Sequence, residues 1–213
     1  MQILDSEADI EAAVRKLMAL EPRFGVVLET HGAPPLRRVE AGLEGLLRII
    51  TGQLISVPAG AAIWRRLEAG LAPFDAKKIA RRRETSLMRL GISNAKARCF
   101  KAVAAAVAGG KLDFASLVKR SDREVLATLT ALTGIGPWTA DIFLLSAMGR
   151  SDAWPAGDLA LQVAAQHLFG LGKRPSGREL MEMAEPWRPW RSVAARLLWS
   201  HYRGLKGISQ TVA

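Results

Sequence analysis

The sequence predicts an all-α protein of about ten helices. Three observations carry that prediction. Apolar residues recur at intervals of three and four through most of the chain. Serine N-caps and glycine or proline stops punctuate these runs. No run alternates with period two between turn signals, so no sheet is expected.

In order, Ser6 caps a helix running to about Leu20, which Pro22 ends. Residues 37–51 place Val39, Leu43, Leu46, Leu47 and Ile50 on one helical face. Ser56, with Pro58 just after it, starts a helix to Gly70. Residues 75–90 hold one or two short helices closed by Gly91, and NAKARCFKAVAAAVA (94–108) is a helix stopped by Gly109-Gly110. Ser121 opens S-D-R-E, a capping box, for a helix to Leu132. Further helices are expected at 137–148, 159–169, 176–185 and 190–203. No low-complexity linker or fixed-period repeat interrupts them.

Thirty Lys and Arg against twenty Asp and Glu leave a net charge of +10. At this size that points to a polyanionic partner, nucleic acid ahead of an anionic membrane surface. No segment gives the ~18 consecutive apolar residues of a spanning helix. The N-terminus carries Asp5, Glu7 and Asp9 where a secretory leader has a basic region. The single cysteine, Cys99, excludes an internal disulfide and cannot by itself hold a cluster or a structural zinc. A cytoplasmic protein is expected. His31, His167 and His201 show no metal-ligand spacing, are expected not to cluster and are assigned no role.

The stretch ALTGIGPWTADI (131–142) breaks an apolar helical run and resumes it at once. A helix ending at Leu132 and another beginning near Pro137 leave Thr133-Gly134-Ile135-Gly136 as the connection. Gly134 and Gly136 can both take positive φ and admit a close backbone. Pro137 suits the first helical turn, and Ile135 can pin the loop to the core. The result is a helix–hairpin–helix whose loop N–H groups form an anion site suited to a DNA phosphate. A plain αα-hairpin with a glycine turn is the alternative.

LTGIGPWTADIF, DAWPAGDLALQ (152–162) and PWRPWRSVAARLLW (186–199), in that order, resemble the helix–hairpin–helix DNA glycosylase superfamily. The similarity is strongest to its 3-methyladenine DNA glycosylase II type, and extends to TGQLISVPAGA (51–61), GISNAKA (91–97) and GKLDFASL (110–117). The resemblance implies two helical lobes with the active site in a cleft between them. Residues 37–150 would form the hairpin-bearing lobe, and 1–36 with 151–213 the lobe carrying the catalytic aspartate. The chain looks like the shorter form without the N-terminal β-domain of some bacterial members.

By that resemblance Asp158 is the catalytic residue. Its carboxylate would stabilise positive charge on the sugar as the N-glycosidic bond breaks, and orient or deprotonate the attacking water. Preceding LALQVAAQHLF, it also reads as a helix N-cap. Bifunctional members carry a Schiff-base lysine where this chain has Trp138, which implies water as nucleophile, no lyase step and an abasic product. Trp138 and Trp199 match positions lining the base pocket, where aromatic faces attract a cationic alkylated purine. Ile142 replaces a tyrosine common in the family and removes one aromatic wall, which bears on the range of lesions. Trp64, Trp154, Trp187 and Trp190 read as core.

For DNA binding the resemblance implies Gly134, Ile135, Gly136 and Thr139 in the hairpin, and Gln53 with Leu54 in a wedge loop. Leu54 reads either as an intercalating side chain or as one more core leucine. The basic residues Lys77, Lys78, Arg81, Arg82, Arg83, Arg89, Lys96, Arg98 and Lys101 read as a solvated face or as an extension of the phosphate-binding surface. The carbonyls of Thr130, Leu132 and Gly134 are the expected place for a monovalent cation; no metal is essential and no cofactor is expected. The function implied is a monofunctional glycosylase excising 3-methyladenine- and 7-methylguanine-type purines from double-stranded DNA. It is expected to act as a monomer and away from membranes. The alternative is a non-catalytic module binding bent or damaged DNA.

Overall fold

The computed structural model describes residues 2–207. Helices α1 (Glu7–Leu20), α2 (Phe24–His31), α3 (Leu43–Gly52), α4 (Val57–Leu71), α5 (Ala76–Arg81), α6 (Glu84–Met88) and α7 (Asn94–Ala108) fill the first half. They are followed by α8 (Phe114–Leu117), α9 (Asp122–Thr130), α10 (Pro137–Ile142), α11 (Leu159–Leu168), α12 (Gly177–Met183) and α13 (Arg191–Leu205). Among the described residues there is no strand; Ile3 and Arg150 form an isolated antiparallel bridge. No helix among them is long and apolar enough to cross a membrane.

Local capping chemistry sets most helix starts. The Ser6 and Ser121 hydroxyls accept the N–H of the third helical residue, and the Asp9 and Glu124 carboxylates return to the cap N–H. Ser56, Asp75, Ser93 and Asp158 cap α4, α5, α7 and α11 with one side-chain bond each. Departures from expectation occur where tertiary contacts decide. Helix α2 has no counterpart among the expected helices; its N-cap, Arg23, makes no side-chain capping bond, and its signal is burial of Phe24 and Val27. Helix α3 starts at Leu43, not 37, because Arg37 sits at φ +44 and the Val39 N–H is spent on the Ser146 carbonyl. Helix α9 stops at Thr130, which lengthens the hairpin connection to residues 131–136.

The chain divides into two compact units. Residues up to Arg38 and from Met148 form one, in which α13 packs against α1, α2 and α11. Val193, Ala194, Ala195, Leu197 and Leu198 are buried on α13, and Phe24, Phe169, Trp154 and Trp187 meet in mostly edge-on ring contacts. Val39–Ala147 form the other, in which α7 packs against α3, α5 and α6 through Phe100, Val103 and Ala104. There α10 runs directly into a π-helical turn, Phe143–Ala147, all but one of whose side chains are buried.

Candidate active site

In the Val39–Ala147 unit the hairpin is built on two glycines with different work. Gly134 has φ +85, and a Cβ there would lie 2.7 Å from Cys99 Cβ and 2.9 Å from its Sγ. Only glycine satisfies both the left-handed backbone and the contact with α7. Gly136 corrects the expectation of a second positive φ. It lies at φ −97, ψ 176, and a Cβ at this position would meet nothing within 4 Å. It caps α10 without a side chain, and Pro137 follows in the first turn. Ile135 is buried, as expected of the residue that anchors the loop. Burial pushes the Cys99 thiol up to about 11, so Cys99 is packing and not a nucleophile at neutral pH.

Thr139, expected among the DNA-binding residues, is buried, and its hydroxyl accepts a hydrogen bond from Gln53 Nε2 at 2.8 Å. The same nitrogen donates to the Gly134 carbonyl at 3.3 Å. Gln53 and Thr139 therefore join the TGQLIS turn to the hairpin. The Leu132 carbonyl accepts the Ile135 N–H at 3.1 Å, so both it and Gly134, two of the three carbonyls considered for a cation, have partners within this unit. Leu54 is not a core leucine: its side chain is fully exposed and its backbone is left-handed, φ +57. An L-residue rarely holds that conformation unless its surroundings impose it.

In the other unit, Asp158 is the N-cap of α11. Its Oδ1 accepts the Leu161 N–H at 3.1 Å and a longer bond from Trp199 Nε1 at 3.3 Å. Asp158 and Trp199, forty-one apart in sequence, are thus brought together. The loop delivering Asp158 is held by the later motif. Ser192 Oγ donates to the carbonyls of Arg150 (2.6 Å) and Ala153 (2.9 Å). The buried Arg191 guanidinium forks onto both Asp152 carboxylate oxygens and the Asp152 carbonyl. Gln162 Nε2 donates to the Ala156 carbonyl at 3.1 Å. DAWPAGD and PWRPWRS are therefore the two halves of one fastening. Asp152, Arg191 and Ser192 carry no individual signal in the sequence, although the two motifs contain them.

The six tryptophans separate by burial. Trp64, Trp154, Trp187 and Trp190 are buried, whereas Trp138 and Trp199 are half-buried, as is Ile142. The basic run is not one solvated face. Lys77, Lys78, Arg81, Arg83, Arg89 and Arg98 are exposed, but Arg82 donates to the Gly70 carbonyl and Lys96 to those of Thr51 and Gln53.

The histidines correct another expectation. His167 Nδ1 and His201 Nε2 lie 2.9 Å apart, and the His31 ring is 6.0 Å from that of His201. Burial first, then the neighbouring His167 and His31, lowers the His201 pKa. Among the described residues no group of three His, Cys, Asp or Glu side chains is arranged to hold a metal ion.

Residues 47–189 match the model of the HhH-GPD superfamily of base excision DNA repair proteins, and the chain belongs to that superfamily. It is 26% identical over 203 residues to the alkylbase DNA glycosidase-like protein mag2 of Schizosaccharomyces pombe, covering 92% of this chain and 95% of the other. It is 31% identical over 211 residues to the probable bifunctional transcriptional activator/DNA repair enzyme AlkA of Mycobacterium tuberculosis, covering 93% of this chain but 41% of that protein. Among solved structures it is similar to the S. pombe 3-methyladenine DNA glycosylase Mag1 in complex with abasic DNA. The TM-score is 0.82 at 25% identity over 92% of this chain and 97% of the other. A DNA-3-methyladenine glycosidase from Bacillus halodurans gives a TM-score of 0.76 at 28% identity, over 100% and 97% of the two chains.

Proposed function

We propose that this protein is a monofunctional DNA glycosylase that hydrolyses the N-glycosidic bond of alkylated purines in duplex DNA. The observation that carries the reading is the Asp158 carboxylate held by the Leu161 N–H and Trp199 Nε1. Both are donors that fix the carboxylate's direction without supplying a counter-charge of their own.

In the proposed reaction the C1′–N bond of the lesion breaks and its electron pair goes to the base. A 7-methylguanine or 3-methyladenine ring is cationic before cleavage and leaves neutral. Positive charge develops on the sugar, where a carboxylate stabilises it. Water adds at C1′ and gives up its proton to Asp158 or to solvent. The product is an abasic site. The similar fission-yeast enzyme was solved with abasic DNA, which agrees with this product. Trp199, half-exposed beside Asp158, is proposed to offer its ring face to the cationic base. Trp138 and Ile142, both half-buried in the Val39–Ala147 unit, are proposed as base-contacting residues as well, Ile142 with an aliphatic side chain.

The hairpin is proposed to take a DNA phosphate on the open side of Gly136 and the first turn of α10. Leu54 is proposed as the wedge that enters the duplex when the damaged nucleotide is extruded. The test is a panel of duplexes carrying 3-methyladenine, 7-methylguanine, deaminated or oxidised bases, scored for free base. Release of the two alkylated purines is expected. Tight binding to all duplexes with release of none would establish a non-catalytic DNA-binding module instead.

A further inference from the structure

Lys96 stands in a basic run, yet it does not point to solvent. Its Nζ donates to the Thr51 carbonyl at 2.7 Å and to the Gln53 carbonyl at 2.8 Å. It is the third residue of α7, with its N–H on the Ser93 cap. A cation in the first turn is unfavourable for its own helix dipole. It is instead aimed at the C-terminal carbonyls of α3, the negative end of a neighbouring dipole, which lack partners inside their own helix. Burial pushes the ammonium below its ordinary value, the mark of a group withdrawn from water. The residue directly after the second carbonyl is Leu54, left-handed and fully exposed. The Gln53 side chain meanwhile grips Thr139 and Gly134. The turn is thus held from both sides, by an ammonium on its backbone and by an amide on the hairpin.

We infer that Lys96 is a positioning residue for base extrusion: its ammonium fixes the turn after α3 so that Leu54 is presented outward, at a set place relative to the phosphate-binding hairpin. This rests on the proposed wedge role of Leu54. Lys96 is then not a phosphate ligand, despite its place among residues that are exposed. A mobile Leu54 would spend ordering free energy at each extrusion, so the clamp acts on the flipping step and not on the later chemistry.

The test compares single-turnover base release from two substrates: 7-methylguanine paired with cytosine, and the same lesion opposite an abasic-site analogue, where little unstacking is needed. Lys96→Met is expected to slow release from the paired lesion about tenfold, in line with loss of a charge-assisted bond. Release from the unpaired lesion should change by less than about twofold, since the extrusion cost is lowest there. Lys96→Arg, which keeps the charge and several donors, is expected to recover most of the paired rate. The dependence of affinity on salt should stay the same in Lys96→Met, because no phosphate contact is lost. Equal slowing on both substrates, or a shallower salt slope, overturns the inference. If Lys96→Met melts too low to assay, Lys96→Gln, neutral but with two donors, is measured on the same pair under the same criteria. Leu54→Ala separates the two readings. If it leaves the paired-to-unpaired ratio unchanged, the wedge reading itself fails. If it changes that ratio and the Lys96 variants do not, only the role of Lys96 is overturned.

Discussion

Replacing Gly134 and Gly136 by alanine, one at a time, should separate the two jobs of the hairpin glycines. At Gly134 the new Cβ enters a left-handed backbone at φ +85 and lies 2.7 Å from Cys99 Cβ. The backbone costs roughly 1–2 kcal/mol for an L-residue. Overpacking against α7 adds roughly 1–3 kcal/mol. The sum is about 2–5 kcal/mol, and at about 2–4 °C per kcal/mol for a chain of this size the Tm should fall by roughly 4–20 °C. Cys99→Ala should recover little of this, because the 2.7 Å contact is with Cβ and not with Sγ. Cys99→Gly should recover the steric part, less about 1 kcal/mol for a glycine inside α7. At Gly136 the backbone is one alanine can adopt and a Cβ meets nothing within 4 Å. Only its role as helix cap is weakened, by roughly 0.5–1 kcal/mol. Gly136→Ala should therefore melt close to wild type while binding any duplex, damaged or not, more weakly. Differential scanning calorimetry and fluorescence anisotropy read the two effects. A Gly134→Ala variant melting within about 1 °C of wild type would refute the packing argument. Undiminished duplex affinity in Gly136→Ala would refute the phosphate approach.

Three further predictions concern chemistry and stability. Borohydride should fail to trap the wild-type protein on lesion-bearing DNA, and strand breaks should appear only after alkali, because by the resemblance Trp138 takes the position of the Schiff-base lysine of bifunctional members; ready trapping would mean that another amine is the nucleophile. Ser192→Ala leaves the Arg150 and Ala153 carbonyls without that donor and should destabilise the protein by about 1–3 kcal/mol in urea melts, lowering base release through the loop that carries Asp158. His201 has a folded pKa below its ordinary 6.5, so above that pH it is neutral in both states. As the pH falls below 6.5 the unfolded chain takes the proton first and stability drops, until the folded pKa is also passed. His201→Gln should flatten that loss, and an unchanged pH profile of the urea midpoint would contradict the assignment.

What could be read from the sequence follows the range of the interactions involved. The Ser6, Ser56 and Ser121 caps join residues three apart, and local chemistry determines them. The hairpin is legible because Gly-x-Gly-Pro is a local conformational signal, although only Gly134 of the pair takes positive φ. Helix α2 is hidden because Pro22 reads as a terminator and Arg23 makes no capping bond; its stabilisation comes from Phe24 against Phe169 and Trp187. The histidine group is assembled from α2, α11 and α13, and no spacing announces it. Composition also cannot tell Lys96, turned onto backbone carbonyls, from the exposed Arg98 two positions later. Pattern alone leaves Leu54 open between core and surface; its exposed, left-handed state is imposed by the turn around it.

The proposed chemistry depends above all on an ionised Asp158 driving cleavage of the base–sugar bond. Asp158→Asn keeps an acceptor oxygen for the Leu161 N–H and Trp199 Nε1 but removes the charge. The decisive measurement is single-turnover release of 7-methylguanine from a duplex by this variant, with duplex affinity and Tm determined alongside. Loss of one electrostatic stabiliser of the transition state costs about 100- to 1,000-fold in rate. Release should therefore fall by at least about 100-fold, with affinity and Tm close to wild type. Release at the wild-type rate by Asp158→Asn would contradict a catalytic role for the carboxylate.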